Sequence, residues 1–420
     1  MYSVDYRGAK VYNKIMVDLG INVIILRVKH NALDEAWNIP LFGKTLEGWV
    51  ASALNAPFKT IEASAVIDLT DKIAAAVDKN KPVTVVLYCD TPLVTKGTVL
   101  GAVERLNKNK LEFVKLPRGC VFNTEYLLKS ESLFVQEPAG GGEFEAVTDC
   151  ETLSRVSDNI RRRILRYHAS NGVLIYDFSN THIDCDVVIE KGAVIEPYNF
   201  IKGKSIIKSG AHIMPGNYIE NSIIGENVRV DSSRIYGSLV SADSKVGPFA
   251  YLRPDSVVGR GCRIGDFVEL KNCVIGNGSK VSHLTYIGDA ELGNDCNVGC
   301  GVVFANYDGK NKYRSVIGER VFIGSNSNII APVTVEDRAF IAAGSTITDG
   351  VPRQALAIAR ARQTNIPEWK GNMYAPPSGN PQPRAYDFAP VSYADGVIDG
   401  SSTAADIQKK DSDGNGADGK

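Results

Sequence analysis

Isoleucine and other aliphatic residues recur at every sixth position through the second half of the chain. Isoleucines occupy each step of six from Ile183 to Ile219. The series continues with occasional five-residue steps to Phe304, resumes after a gap at Ile317 and ends at Ile347. This period matches neither an α-helix, at about 3.6 residues, nor a β-strand, at about 2. It predicts a solenoid whose coil has three short faces, each with one inward aliphatic side chain.

The repeat is typical of a left-handed parallel β-helix built from hexapeptide repeats. Glycine and asparagine between the aliphatic positions are expected to form the corners, where a positive φ carries little strain in these residues. The alternative, a β-sandwich of short strands, predicts alternation with a period of about two, which this region lacks. The expected corner residues are Gly225, Gly265, Gly276, Asn277, Gly288 and Gly324.

The first third of the chain alternates strand-like and helix-like segments, which predicts an α/β layer with a parallel sheet. An amphipathic helix follows at Glu151–Tyr167, with a capping box between Thr148 and Glu151 and an apolar stripe that ends at Tyr167. The elements expected before it are strands at Asn22–Val28 and Val83–Tyr88 and helices at Thr45–Leu54, Thr70–Lys79 and Lys96–Asn107.

Composition changes again after Lys370, where Gly, Pro, Ser, Asp and Ala dominate. Such a segment lacks the apolar surface that folding requires, and we expect most of it to be disordered. The predicted organisation is a shortened α/β domain at 1–147, a linker helix at 148–170, a β-helix at 171–370 and a disordered tail at 371–420.

Charge and hydropathy restrict the class of protein. The 420 residues carry 47 basic and 48 acidic side chains, a net charge of −1, which disfavours a nucleic-acid partner. No apolar stretch has the length that spans a bilayer, and the N-terminus lacks the pattern of a signal peptide. We therefore expect a cytoplasmic protein with no membrane partner. The eight cysteines lack C-x-x-C spacing and are expected to be free thiols, most of them buried.

Coil arithmetic indicates which polar side chains lie together. Arg253 and Lys271 each follow an inward leucine, and the two leucines are three steps of six apart, so the cations should stack about 4.8 Å apart. Two cations at this distance repel unless an anion lies between them, which indicates a phosphate site. In the alternative interpretation, Glu269 or Asp266 neutralises the pair on a solvated face.

A second polar group includes His283. The same arithmetic places His283 under Cys300 and Tyr286 one coil above Glu269. A lone histidine is usually structural, but here a carboxylate and the candidate phosphate site are close, and an insertion interrupts the repeat at Ala305–Val316. Insertions in solenoids project from one face and often form binding sites. This insertion contains Asn306, Tyr307 and Lys312.

Four segments carry a family resemblance: Leu252–Pro254, Phe267–Lys271, Gly278–Ala290 and Asn306–Gly309. They resemble the acetyltransferase domain of the bifunctional GlmU family, which makes UDP-N-acetylglucosamine. The resemblance covers the linker helix and the repeat, well over half the chain. It implies transfer of an acetyl group from acetyl-coenzyme A, as co-substrate, to the amine of glucosamine 1-phosphate. It also implies a homotrimer with sites between subunits.

The resemblance implies roles for individual residues. His283 matches the proposed general base. From the chemistry of the reaction we also expect Glu269 to hold the tautomer of its imidazole, and Asn306 or nearby backbone N–H groups to stabilise the oxyanion. Cys300 is a departure, since the family usually has alanine there. The substrate would contact Arg253, Lys271, Tyr286, Asn297 and Lys312, and the coenzyme would contact Tyr307, Cys300, Ser325, Ala343 and Arg360.

The N-terminal region resembles the family's uridyltransferase domain in outline only. Pro40–Leu46 and Tyr88–Leu93 match family segments, and the second carries a magnesium-binding aspartate, here Asp90. The glycine-rich phosphate loop is replaced by Arg27–His30, and Thr148 stands where the family has a second metal ligand. We therefore expect that uridyltransferase activity is lost and that no metal is bound, with Asp90 a ligand only if this domain is active.

Two other functions stay open. A different hexapeptide-repeat acyltransferase, acting on another amino substrate, shares the solenoid but does not need the Arg253 and Lys271 pair. A non-catalytic scaffold or regulatory protein fits the reduced N-terminal domain, but it does not need His283, Asn306 and Arg360 together. A zinc-dependent solenoid enzyme is disfavoured because three clustered histidines are missing.

Overall fold

The computed structural model describes residues 20–29, 33, 35–63, 69–130, 141–367 and 369, and all structural statements refer to these. The predicted disordered tail at 371–420 lies outside them. The chain through Arg360 forms one compact unit, and the described residues after it contain no helix or strand. No described helix is both long enough and apolar enough to cross a membrane.

The N-terminal region contains seven strands and four helices among its described residues. They are β1 (Ile21–Val28), β2 (Pro40–Leu41), β3 (Lys44–Thr45), α1 (Leu46–Leu54), β4 (Lys59–Ala63), α2 (Leu69–Ala76), β5 (Val83–Tyr88), α3 (Lys96–Lys108), β6 (Phe113–Leu116), β7 (Gly119–Asn123) and α4 (Thr124–Lys129). Short 3-10 turns lie at Ala36–Asn38 and Gly142–Phe144. The predicted strands and helices are confirmed to within about three residues at their ends.

Five of these strands form one sheet in the order β4-β1-β5-β7-β6. Strand β1 pairs in parallel with β4 and β5, as the alternation of elements predicts. Strand β7 pairs antiparallel with both β5 and β6, so the expectation of a fully parallel sheet is wrong at this edge. The reason is local, because only Pro117 and Arg118 join β6 to β7, and so short a turn reverses the chain.

Helix α5 (Cys150–Ser170) connects the sheet to the repeat. Its capping box is one residue later than predicted, since the carboxylate of Asp149 accepts a hydrogen bond from the backbone N–H of Thr152 (2.8 Å), and the Thr152 hydroxyl accepts one from the Asp149 N–H. The predicted stripe also ends differently. Tyr167 is 66% exposed, whereas His168 is buried, because the buried face continues with steps of four from Ile164.

The repeat folds as a parallel β-solenoid of about ten turns, three strands to a turn, which confirms the solenoid prediction. Sheet I contains β10 (Val188–Ile189), β13 (Ile206–Ile207), β16 (Ile223–Ile224), β19 (Leu239–Val240), β22 (Val257–Val258), β25 (Val274–Ile275), β28 (Ala290–Leu292), β31 (Ser315–Ile317) and β34 (Thr334–Val335). Sheet II contains β8 (Leu174–Ile175), β11 (Val194–Ile195), β14 (His212–Ile213), β17 (Arg229–Val230), β20 (Lys245–Val246), β23 (Arg263–Asp266), β26 (Lys280–His283), β29 (Asn297–Val298), β32 (Phe322–Ile323), β35 (Phe340–Ile341) and β37 (Leu356–Ala357). Sheet III contains β9 (His182–Ile183), β12 (Phe200–Lys202), β15 (Tyr218–Glu220), β18 (Arg234–Tyr236), β21 (Tyr251–Leu252), β24 (Glu269–Lys271), β27 (Tyr286–Gly288), β30 (Val303–Ala305), β33 (Asn328–Ile330) and β36 (Thr346–Ile347).

The inward aliphatic residues of successive turns stack in register. Ile235, Leu252 and Leu270 are direct partners in sheet III, and all three are fully buried. The core of the solenoid is therefore a set of parallel aliphatic columns. Polar residues one or two positions after each inward residue consequently align in columns on the outside.

The glycines expected at corners serve another purpose. None of the six expected corner residues has a positive φ; the corner conformation instead falls on residues such as Phe267 and Gly278. A Cβ on Gly265 would lie only 1.9 Å from the carbonyl oxygen of Ser282 on the next turn. The prediction of corner φ values was wrong for these glycines, because what excludes a side chain is the close approach of neighbouring coils.

The inward column generates a stability prediction. Ile235→Ala removes fully buried methyl groups at the centre of sheet III and should lower the free energy of unfolding by about 2–5 kcal/mol. Ile330→Ala removes the same atoms from a side chain that is 37% exposed and should cost clearly less. Denaturant unfolding of both variants measures the difference, and equal losses would contradict the assignment of inward and outward positions.

Candidate active site

His283 and Asp266 form a hydrogen-bonded pair on the outside of sheet II. Each is the last residue of its strand, and the two are register partners on adjacent turns. The distance from Nδ1 of His283 to Oδ1 of Asp266 is 2.5 Å. This hydrogen bond, more than any other factor, lowers the pKa of Asp266 below its ordinary value. The pair thus consists of an imidazole whose Nδ1 is engaged by a carboxylate.

The expected pairing of Glu269 with the imidazole is wrong. Oε1 of Glu269 instead accepts a hydrogen bond from the guanidinium of Arg253 at 2.9 Å. This bond raises the pKa of Arg253, and the guanidinium carbon also lies 6.0 Å from the centre of the Tyr251 ring. Glu269 and Asp266 are on different sheets, so each carboxylate meets the nearest donor on its own face. The alternative in which Glu269 neutralises a cation is therefore correct for Arg253.

Lys271 has a different neighbour. Its strand register places it one turn above Arg253, as predicted, and the ammonium of Lys312 lies close enough to act on it. This contact is the main cause of a lowered pKa of Lys271, with burial second. Neither lysine forms an ion pair with a described carboxylate, although the nearby carboxylate of Asp289 acts to raise the pKa of Lys271. Two neighbouring ammonium groups with only one carboxylate near them favour binding of an anion.

The predicted insertion brings Lys312 to this position. It leaves β30 after Ala305 and rejoins sheet I at β31, and Tyr307 and Lys312 form an antiparallel bridge across it. The carboxylate of Asp308 accepts backbone hydrogen bonds from Lys310 (2.7 Å) and Asn311 (2.6 Å) and holds the turn. The insertion is thus a small hairpin with its own internal bonds rather than an extended loop.

Asn306 lies at the base of the hairpin and is only 7% exposed. Its side-chain N–H₂ donates to Oδ2 of Asp289, whose Oδ1 accepts a hydrogen bond from the Asn272 side chain at 2.6 Å. Beside this network, burial raises the pKa of Tyr286. A Cβ on Gly288 would lie 2.4 Å from the Tyr286 hydroxyl, so a larger residue there would displace the Tyr286 side chain. Sequence reasoning missed both acidic and amide partners, although Asp289 lies within the segment Gly278–Ala290 and Asn272 directly follows Phe267–Lys271.

Three of the other predicted contacts, Cys300, Ser325 and Ala343, continue from His283 as a column at the corner between sheets II and III. Each lies two positions after an inward residue of sheet II, which is the offset of His283. The guanidinium of Arg360 closes the column by donating to the carbonyl oxygen of Ala343 at 2.9 Å. Asn297 lies in sheet II between Lys280 and Phe322. The column consists of His283, Cys300, Ser325 and Ala343.

A groove of 320 Å³ leads away from His283 along sheet II. Cations from successive turns line it, and the strand register stacks Arg229, Lys245 and Arg263 directly. Lys280 continues the same row. The sequence signal for this row was present, since each cation immediately precedes an inward aliphatic residue, but it was not recognised.

The predicted site residues therefore form two groups in one chain. One is the His283 column, and the other is the Arg253, Lys271 and Lys312 cluster on sheet III with Asn306 beside it. Within the described part of the chain, no hydrogen bond or ion pair joins His283 to that cluster.

The buried carboxylate of the N-terminal region is paired with a cation from the same region. Asp90 is fully buried, and its two oxygens accept hydrogen bonds from Nε (2.7 Å) and Nη2 (2.5 Å) of Arg118. The guanidinium also lies 4.3 Å from the Tyr88 ring centre. At the position of the missing phosphate loop, Arg27 is paired with Glu47 at 2.7 Å. Across the described ranges, no three His, Cys, Asp or Glu side chains come together as a metal site would require.

Comparison with known proteins gives family matches within the solenoid. A model described as the GMPPB C-terminal domain matches residues 234–321, and one for the bacterial transferase hexapeptide of six repeats matches residues 314–349. The bifunctional protein GlmU of Clostridium acetobutylicum is 44% identical over 294 residues, which cover 69% of this chain and 62% of that protein. The GlmU of Clostridium tetani is 52% identical over 217 residues, covering 52% of this chain and 48% of that protein.

The chain resembles the GlmU proteins. It spans about half to three-fifths of the length of the GlmU relatives it matches. Among solved structures, a UDP-N-acetylglucosamine acyltransferase from Francisella novicida matches with 17% identity and a TM-score of 0.32, covering 44% of this chain and 67% of that one. The acyltransferase from Arabidopsis matches with 17% identity and a TM-score of 0.30, covering 44% of this chain and 69% of that one.

Proposed function

We propose that this protein transfers the acetyl group of acetyl-coenzyme A to the amine of glucosamine 1-phosphate. The product, N-acetylglucosamine 1-phosphate, is a precursor of UDP-N-acetylglucosamine. The observation that carries the proposal is the His283 and Asp266 pair, which begins the corner column of GlmU-like residues. The resemblance to GlmU supports the identity of the two substrates.

His283 is the general base in this proposal. The amine must lose a proton to attack the thioester, and Nε2 accepts it because Nδ1 is engaged by Asp266. Attack forms a C–N bond and a tetrahedral oxyanion. Breaking the C–S bond then releases coenzyme A, whose sulfur takes the proton from the imidazole. One N–H of Asn306 is bonded to Asp289, and the other is the proposed donor to the oxyanion.

The lysine pair supplies the phosphate contact. Lys271 and Lys312 repel each other and are only partly offset by Asp289, so a phosphate between them relieves the repulsion as it binds. Arg253, held by Glu269, is the third cation, and Tyr286 and Asn297 complete the proposed sugar contacts. The coenzyme is assigned to the corner column and to the hairpin, through Cys300, Ser325, Ala343, Arg360 and Tyr307.

The general-base role predicts the effect of His283→Ala. This variant should lower kcat for glucosamine 1-phosphate by at least about a hundredfold, since general bases contribute about 10²- to 10⁴-fold. His212→Ala is a matched control, because His212 is also on sheet II and is paired with Glu196 at 2.6 Å. Thiol release measures both. Near-normal turnover of His283→Ala would contradict the role, and faster acetylation of another amine would favour the alternative acceptor.

We further propose that the protein is a homotrimer and that a second copy brings the lysine cluster to His283. An apolar ridge supports this. Phe249, Phe267 and Leu284, on successive turns at one corner, are each exposed by 57–59%. All three have a positive φ, of 46–57°, a conformation that costs these residues about 1–2 kcal/mol each. Covering this ridge by a second copy offsets that cost.

The ridge predicts a change in oligomeric state. The double variant Phe249→Ser and Phe267→Ser should reduce the sedimentation mass below that of the trimer and lower kcat together with it. Phe58→Ser removes an exposed phenylalanine of the N-terminal region and should leave the mass unchanged. A double variant that remains trimeric would show that the ridge is not the interface.

Uridyltransferase activity is proposed to be absent. A magnesium ion at Asp90 would have to displace Arg118 from both carboxylate oxygens, and displacement would leave a guanidinium buried without its partner. Incubation with N-acetylglucosamine 1-phosphate, UTP and magnesium should therefore release no pyrophosphate above background, while the same preparation consumes acetyl-coenzyme A. Magnesium-dependent pyrophosphate release that is abolished by Asp90→Ala would overturn this expectation.

A further inference from the structure

We propose that Asp266 is the positioning residue for His283, and that Glu269 does not have this role. The proposal rests on the acetyl transfer proposed above. It concerns the step in which Nε2 of His283 accepts the proton of the acceptor amine.

The backbone fixes the pair. Strands β23 and β26 are four residues long, whereas the adjoining strands of sheet II, β20 and β29, contain only two. The two additional residues carry Asp266 and His283 to the end of the sheet as register partners. Directly after the pair, the N–H of Leu284 donates to the carbonyl oxygen of Asp266 at 2.9 Å. The ends of the two strands are therefore locked together at this point.

Gly265 also helps to hold Asp266 and His283 side by side. A Cβ at this residue would lie 1.9 Å from the carbonyl oxygen of Ser282, so only glycine permits the approach of β23 to β26 beside the pair. Phe267 and Leu284 then turn the corner with the same left-handed conformation. Both strands thus change direction at the same place, which keeps the carboxylate and the imidazole side by side.

The other candidate carboxylate, that of Glu269, bonds to a different residue. Glu269 bonds Arg253 on sheet III, and its register partner is Tyr286 rather than His283. The groove next to His283 also contains Arg263 and Lys245, which are cations and do not accept a hydrogen bond from Nδ1. Its other carboxylate, Asp231, follows strand β17, three turns away from the turn of His283, and accepts a hydrogen bond from the Ser232 hydroxyl. Among the described residues, Asp266 is the acceptor bonded to that nitrogen.

The chemical consequence is a fixed tautomer. When Nδ1–H donates to Asp266, Nε2 has no proton and presents its lone pair to the acceptor amine. As the proton arrives at Nε2, the imidazolium that forms lies next to a carboxylate, which stabilises its charge. Removing the carboxylate should therefore affect turnover much more than substrate binding.

The test compares two conservative variants. Asp266→Asn should lower kcat at least about tenfold while each KM changes by less than about twofold, and Asp266→Glu should restore part of the loss. Glu269→Gln should instead raise KM for glucosamine 1-phosphate, because it frees Arg253. Glu196→Gln breaks the matched His212 pair on the same sheet and should leave both constants unchanged.

A second measurement does not depend on activity. In protein labelled with ¹⁵N-histidine, the His283 ring, identified by its loss in His283→Ala, should show a protonated Nδ1 and an unprotonated Nε2 in the neutral form. Asp266→Asn should shift this tautomer ratio, and Glu269→Gln should not. Unchanged kcat and an unchanged tautomer ratio in Asp266→Asn would overturn the proposal. If the protein does not acetylate glucosamine 1-phosphate, the proposed function fails, yet the tautomer ratio still decides whether Asp266 positions the ring.

Discussion

The lateral stacking of inward aliphatic side chains is the constraint on which the rest of the solenoid depends. Each turn buries its three aliphatic residues against those of the previous turn, and the parallel strands pair residue for residue. A slip of one residue would expose a whole aliphatic column, so the register is strongly determined. Because the register is fixed, every outward position is also fixed relative to the turns above and below.

Candidate functional side chains on the outside of the solenoid are therefore aligned in columns. His283, Cys300, Ser325 and Ala343 occupy the same offset on four turns, and Arg253 and Lys271 occupy another offset on sheet III. The interruption at the hairpin adds Lys312, which the regular repeat cannot supply. The two columns point to different faces of one chain. In the proposed homotrimer, the His283 column of one copy would meet the lysine cluster of another.

Sequence reasoning predicted the features that strand pairing determines and was wrong about which side chains bond to each other. Period and offset predicted the solenoid and the stacking of Arg253 with Lys271, because backbone pairing alone decides both. They did not predict that His283 bonds Asp266 and Arg253 bonds Glu269, since the choice among nearby carboxylates depends on where each strand ends at the corner. The prediction of a capping box at Thr148 was wrong for a similar reason. The observed box begins one residue later, at Asp149, because neighbouring threonine and acidic residues give equivalent patterns at both positions.

The N-terminal region and the solenoid differ in how their charged side chains are paired, and this difference bears on which region binds an anionic ligand. In the N-terminal region, Asp90 is buried and fully paired with Arg118, so a cation from the chain itself occupies the carboxylate. Breaking such a pair costs about 3–5 kcal/mol, which a weakly bound metal ion does not offset. In the solenoid, by contrast, Lys271 and Lys312 lie near each other, and the carboxylate of Asp289 only partly offsets their charge. The paired charges of the N-terminal region leave no free carboxylate at Asp90 for a ligand, whereas the excess of cations at Lys271 and Lys312 favours an anionic ligand in the solenoid.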